Sequence, residues 1–200
     1  MIDLKKYIPF VLVLLSASSF AQKKLSKQDI ELNKLDCKKV QKFSEESRLK
    51  LFPYNIADQV MLISFDDAGV GKMQGTELQK FLDDNLNKVL DDSQLSRITE
   101  KQILSKAQTS ELTNIIYNYT FTKPPTIMPV AKCYMPSNAI LYLDKNNKLL
   151  GFMELCFLCE RYRESNEKIT IGDDCTQKMD MLKAFFQKSG IIYGTVEKRY

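Results

Sequence analysis

Four cysteines, Cys133, Cys156, Cys159 and Cys175, fall in the last third of a 200-residue chain that has five in all and no histidine. Thiols grouped in this way can form disulfides, carry out thiol redox chemistry, or coordinate a metal such as zinc as thiolates. The missing histidine excludes serine–histidine and cysteine–histidine nucleophilic catalysis and removes the commonest metal-ligating side chain.

The segment Cys156-Phe157-Leu158-Cys159 invites several readings. A c-type haem site needs histidine after the second cysteine, where Glu160 stands. A thioredoxin-like site places its first cysteine at a helix N-terminus, where the dipole lowers the thiol pKa. Here an apolar strand leads in, the charged stretch Glu160-Arg161-Tyr162-Arg163-Glu164 leads out, and no proline follows Pro136. Arg161 and Arg163 could still lower a thiol pKa, which keeps a redox site on Cys156 and Cys159 as the alternative reading. A structural zinc site from Cys133, Cys156, Cys159 and Cys175 would have one knuckle-like pair and would compete with oxidation after export. Met128, Met135 and Met153 could offer soft ligands for copper(I), but scattered methionines more often fill cores. The favoured reading is therefore a disulfide framework with no cofactor. Cys133 bonds one member of the Cys156/Cys159 pair, Cys175 bonds the other, and Cys37 is left as a buried thiol on a helix, an intermolecular bridge or a reactive thiol.

Glu154 interrupts an apolar strand on the face shared by Phe152 and Cys156. It is read either as an edge-strand charge or as a carboxylate for acid/base work, and no catalytic residue is assigned. The run Asp66-Asp67-Ala68-Gly69-Val70-Gly71-Lys72 lacks the first glycine and the final Ser/Thr of a Walker A loop. The run from Asp144 lacks the glycine and glutamate of a calcium loop, because Leu149 and Leu155 stand there. Asn118-Tyr119-Thr120 is a glycosylation sequon.

These residues need elements to position them. Residues 1–21 read as a cleaved secretory signal peptide, with Lys5 and Lys6, an apolar run from Tyr7 to Leu15, and a small-residue site ending Ser19-Phe20-Ala21. The run is too short to span a bilayer, and no second long apolar segment follows. The reading is an exported protein, periplasmic or secreted, that meets a protein or envelope partner. Net charge is +4 and its lysines are interleaved with acids, which argues against nucleic acid.

Residues 22–200 read as a single α+β domain. Apolar spacing predicts amphipathic helices at about 28–47, 77–91, 106–119 and 175–188. Thr76 with Gln79, Ser105 with Gln108 and Asp174 with Gln177 are set for N-terminal caps. Strands are predicted at Gln59–Phe65 and in a hairpin at about 139–157, turned by Asp144-Lys145-Asn146-Asn147-Lys148, with a short strand at Ile191–Tyr193. Prolines between Pro124 and Pro136 mark a long connection. A two-residue hairpin loop would place Cys133 opposite Glu160, and a three-residue loop would place it opposite Cys159. Either register brings Cys133 close to the Cys156–Cys159 segment.

The stretch from Cys133-Tyr134-Met135-Pro136 to Asp144, followed by Gly151-Phe152-Met153-Glu154-Leu155-Cys156-Phe157-Leu158-Cys159, resembles a family of uncharacterised exported bacterial proteins over roughly residues 125–195. The resemblance implies a shared fold and an exported life, and carries no activity, cofactor or partner. Ser137 departs from the basic residue that often follows the proline in that family.

Overall fold

β-branched and apolar residues at Gln59–Ser64, Asn138–Leu143 and Leu149–Cys156 supply three long strands that pair side by side. The computed structural model describes residues 35–66, 76–123 and 133–196. In chain order these carry β1 (Lys38–Lys39), α1 (Glu45–Leu49), β2 (Gln59–Ser64), α2 (Thr76–Asn85), α3 (Asp92–Leu95), β3 (Glu100–Ile103), α4 (Lys106–Asn118), β4 (Tyr119–Thr120), β5 (Asn138–Leu143), β6 (Leu149–Cys156), β7 (Arg161–Glu164) and α5 (Lys178–Lys188). The fold is α+β. A five-stranded antiparallel sheet runs β3-β2-β5-β6-β7, and β1 and β4 form a separate two-stranded ribbon.

Alternation along the strands sends side chains to two cores. Val60, Leu62, Ile140, Tyr142, Met153 and Leu155 pack with α4 and α5 through Leu112, Ile116, Leu182 and Phe186. Met61, Ile63, Leu141, Leu143 and Phe152 pack on the other face with Leu78, Phe81 and Leu82 of α2. Every residue of β5 is buried, as a central strand covered on both faces requires.

The β5–β6 turn forms where asparagines permit it. Asp144 Oδ1 accepts from the amides of Asn146 (2.7 Å) and Lys148 (2.9 Å), and Asn147 takes φ 62°. Next to the turn Leu143 faces Leu149. A register shift follows, and beyond it Tyr142 faces Gly151 and Asn138 faces Leu155. Both loop registers expected from sequence therefore occur, one on each side of a bulge.

Helix boundaries differ from the periodicity at three places. The first expected helix, 28–47, lies partly outside the described residues. From Leu35 to Phe43 the chain is non-helical and carries β1, and the helix forms only at Glu45–Leu49, capped by Ser44. Pairing of β1 with β4 and the Val40 amide bond to the Asn118 carbonyl (2.8 Å) hold this segment extended. The helix expected to reach residue 91 ends at Asn85. Asn87 takes φ 64°, and the backbone of 87–90 bonds to Asn147 and Leu149 instead. The last helix begins at Lys178 rather than Cys175, because the Gln177 side chain is engaged by Cys37 and Asp36 and gives no cap. Ser105 and Gln108 do form the expected capping box on α4. Ile191–Tyr193 is not a strand. The expected signal peptide, most of the Asp66–Lys72 loop and most of the proline-rich connection lie outside the described residues.

Among the described residues, two buried cations, Lys178 and Arg48, are held by backbone carbonyls and hydroxyls. Lys178 Nζ donates to the carbonyls of Ile115, Ile116 and Tyr119, each at 2.9 Å, and so caps the end of α4, whose last turn has no basic residue. Burial pushes its pKa down to about 8, against the pull of Asp173 and Asp174. Arg48 bonds Thr113 Oγ1 (3.2 Å) and the carbonyls of Phe43 (3.0 Å) and Ser110 (3.3 Å). Asn118 exchanges two bonds of 2.9 Å with the Phe43 backbone and is buried. The sequon asparagine is therefore built into the fold.

Candidate functional site

Phe152, Glu154 and Cys156 alternate onto the α2 face of β6. The chain then reverses through Phe157–Glu160, with Glu160 at φ 50°, and returns as β7, which pairs Cys156 with Arg161 and Glu154 with Arg163. β6 is thus an inner strand, and Glu154 is fully buried rather than an exposed edge charge.

The reversal separates the two cysteines of the Cys-Phe-Leu-Cys segment. Cys159 lies in the turn and is bonded to Cys133, with Cα atoms 5.7 Å apart. Cys156 keeps a free, buried thiol. The Met135 amide donates to its Sγ at 3.4 Å. Burial raises the Cys156 pKa above the ordinary thiol value, the nearby amides of Met135, Cys159 and Leu158 pull against that rise, and Glu154 adds to it.

Cys175 belongs elsewhere. It is bonded to Cys37, with Cα atoms 4.9 Å apart. The expected bond from Cys175 to the Cys156/Cys159 pair is therefore replaced, and Cys37 is neither free nor helical. Local contacts explain the pairing. The Thr176 amide donates to the Leu35 carbonyl (2.9 Å), Gln177 Oε1 accepts from the Cys37 amide (2.7 Å), and Gln177 Nε2 donates to Asp36 (2.9 Å). With Cys133, Cys159 and Cys175 in disulfides, the proposed four-thiolate zinc set does not exist. Among the described residues, no group of three or more His, Cys, Asp or Glu is arranged to hold a metal. Of the methionines considered for copper(I), Met135 presents its amide to Cys156, Met153 lies in the core shared with α4 and α5, and Met128 lies outside the described residues.

Around the thiol lies a polar cluster. Glu154 Oε2 accepts from Arg163 Nε at 2.5 Å, and Arg163 Nη1 donates to Asp83 at 2.8 Å. The Arg163 guanidinium stacks 5.1 Å over Phe152, and that of Arg161 lies 5.3 Å from the Tyr134 ring centre. Among the described residues, Glu154 Oε1, Arg163 Nη2 and the Tyr134 hydroxyl are buried without a hydrogen-bond partner. The Tyr134 hydroxyl and the Glu154 carboxyl interact electrostatically, but not with the alignment of a hydrogen bond. Burial raises the Glu154 pKa, Arg163 opposes the rise, and Asp83 adds to it. From sequence, Arg163 is considered only as a neighbour of the thiols and Tyr134 only within the resembling stretch, and Asp83 is not singled out. The usable signal was the polar alternation of Arg161-Tyr162-Arg163-Glu164, which as a strand sets Arg163 beside Glu154.

What this arrangement can do chemically is limited and specific. A free thiol that accepts from one backbone amide lies three residues before a disulfide-bonded cysteine, and a buried carboxylate two residues before the thiol is held by an arginine. Compared with known protein families, with curated proteins and with solved structures, the chain matches none.

Proposed function

We propose that this chain is an exported, disulfide-braced domain that binds a protein or envelope partner and does not turn over a substrate. The observation that carries this reading is that its chemistry-bearing side chains are occupied internally. Four of the five cysteines are in the Cys37–Cys175 and Cys133–Cys159 bonds. The most deeply buried carboxylate, Glu154, is tied to Arg163. Such bonds persist in oxidising compartments, in keeping with the signal-like first 21 residues and with the family resemblance around Cys133–Cys159. No helix among the described residues is long and apolar enough to cross a membrane.

The test is to express the full chain with its own leader in a bacterium, fractionate the cells, and map the peptides without reduction. The reading expects an N-terminus at Gln22, recovery from the periplasm or medium, two disulfides and one thiol. Retention in the cytoplasm with all five thiols open to alkylation would overturn it.

A second reading, thiol redox chemistry at the same cluster, is favoured by one observation. The Met135 amide donates to Cys156 Sγ at 3.4 Å, an arrangement that stabilises a thiolate when one forms.

A further inference from the structure

We propose that Cys133, Cys156 and Cys159 form a three-sulfur exchange unit in which Cys133 passes between two partners. The proposal rests on the thiol reading of this cluster and names its reaction.

Cys156 Sγ accepts from the Met135 amide at 3.4 Å, two residues from Cys133. The free thiol is thus tied to the segment that carries one sulfur of the disulfide, and Cys159, three residues on in the turn, carries the other. In the hairpin register, Asn138 faces Leu155, so the chain running back from Asn138 to Cys133 passes alongside Cys156 before it reaches Cys159. Cys159 sits in the turn between Leu158 and Glu160, outside any strand, and its own side chain is buried.

The step is a thiol–disulfide exchange. Cys156 gives its proton to solvent, and its thiolate attacks the Cys133 sulfur. The Cys133–Cys156 bond forms as the Cys133–Cys159 bond breaks, and Cys159 leaves as a thiolate that takes up a proton. One disulfide and one thiol are present before and after, so no oxidant or reductant is required. The Met135 amide stabilises the attacking thiolate. The charged and titratable groups around it are Glu154 on β6, Arg161 and Arg163 on β7, Asp83 on α2, and Tyr134 on the irregular segment leading to β5. Exchange changes which sulfur is free. The resting thiol is on Cys156 at the end of β6, and the released one is on Cys159 in the β6–β7 turn.

The experiment incubates the oxidised full chain at mildly alkaline pH with no added thiol or disulfide. Samples are quenched in acid, unfolded, alkylated and mapped. The proposal expects the alkylated thiol to shift from Cys156 toward Cys159 with time, with Cys37–Cys175 unchanged. It also expects Cys159→Ser to fold with a Cys133–Cys156 bond. Label that stays on Cys156 at all times, or a folded Cys159→Ser chain with both Cys133 and Cys156 alkylated, overturns the proposal. Reduction of an added small disulfide reads the parent thiol reading separately. If the label migrates without such reduction, the internal exchange stands and external redox activity falls.

Discussion

Replacing both Cys37 and Cys175 with serine removes the longer disulfide without leaving a stray thiol. Its ends are 138 residues apart, against 26 for Cys133–Cys159. In the chain-entropy picture a loop of the longer size restricts the unfolded chain by about 5 kcal/mol, and the shorter by about 3.5 kcal/mol. The short loop lies inside the long one, so with Cys133–Cys159 intact the outer loop is effectively shortened, which lowers its contribution by only about 0.2 kcal/mol. The outer pair should therefore cost more than the inner pair, Cys133→Ser with Cys159→Ser, by roughly 1.5 kcal/mol. Urea unfolding of both double variants, each in a Cys156→Ser background to prevent reshuffling, gives the two losses directly. The full loss requires that the segment from Leu35 to Val40 unfold together with the sheet. A loss below about 1 kcal/mol for the outer pair would show instead that β1 peels away from β4 and α5 on its own.

Three further outcomes follow from buried groups. Lys178 has a folded pKa of about 8, below its free value of 10.5, so the folded chain binds fewer protons between these values. Stability should rise with pH across that window, on the order of 3 kcal/mol in total, and Lys178→Met should abolish the rise in urea titrations made in the Cys156→Ser background. Glu154 is raised by burial, so the folded state binds more protons there and this group's contribution falls as pH climbs from the ordinary carboxylate range through its raised value. Glu154→Gln should flatten that fall and cost about 1–2 kcal/mol at neutral pH by weakening the bond to Arg163, as read from thermal and urea midpoints. Gly172 has φ 75°, and an added Cβ would run into the Ile116 carbonyl. Gly172→Ala should therefore destabilise by about 2 kcal/mol or more, measured by the same unfolding curves.

The hairpin was legible because its signals are local. Asp144, Asn146 and Asn147 define the turn, and period-two burial defines the strands on either side. That is why Cys133 could be placed near Cys159 from spacing alone. The edge strands β3 and β7 were not legible, because Glu100-Lys101-Gln102-Ile103 and Arg161-Tyr162-Arg163-Glu164 carry charge where an inner strand would be apolar. Missing β7 made Glu154 look like an edge residue and hid its arginine partner. The Cys37–Cys175 bond depends on contacts between segments distant in sequence, at Leu35, Asp36, Thr176 and Gln177, and no local pattern announces them. Nor does anything in the run Thr176-Gln177-Lys178-Met179 mark Lys178 as the group that closes the end of another helix.

The nested disulfides have a consequence for synthesis. In chain order the first cysteine joins the fifth and the second joins the fourth. A chain threaded across a membrane from its N-terminus delivers Cys37 to the oxidising side first and its proper partner last. Every other thiol of the protein passes Cys37 in the meantime, so oxidation faster than translocation would trap premature bridges. Correct maturation then requires either delayed oxidation or a catalyst that unpicks the early errors, and the yield of native protein should track the capacity of the host to isomerise disulfides.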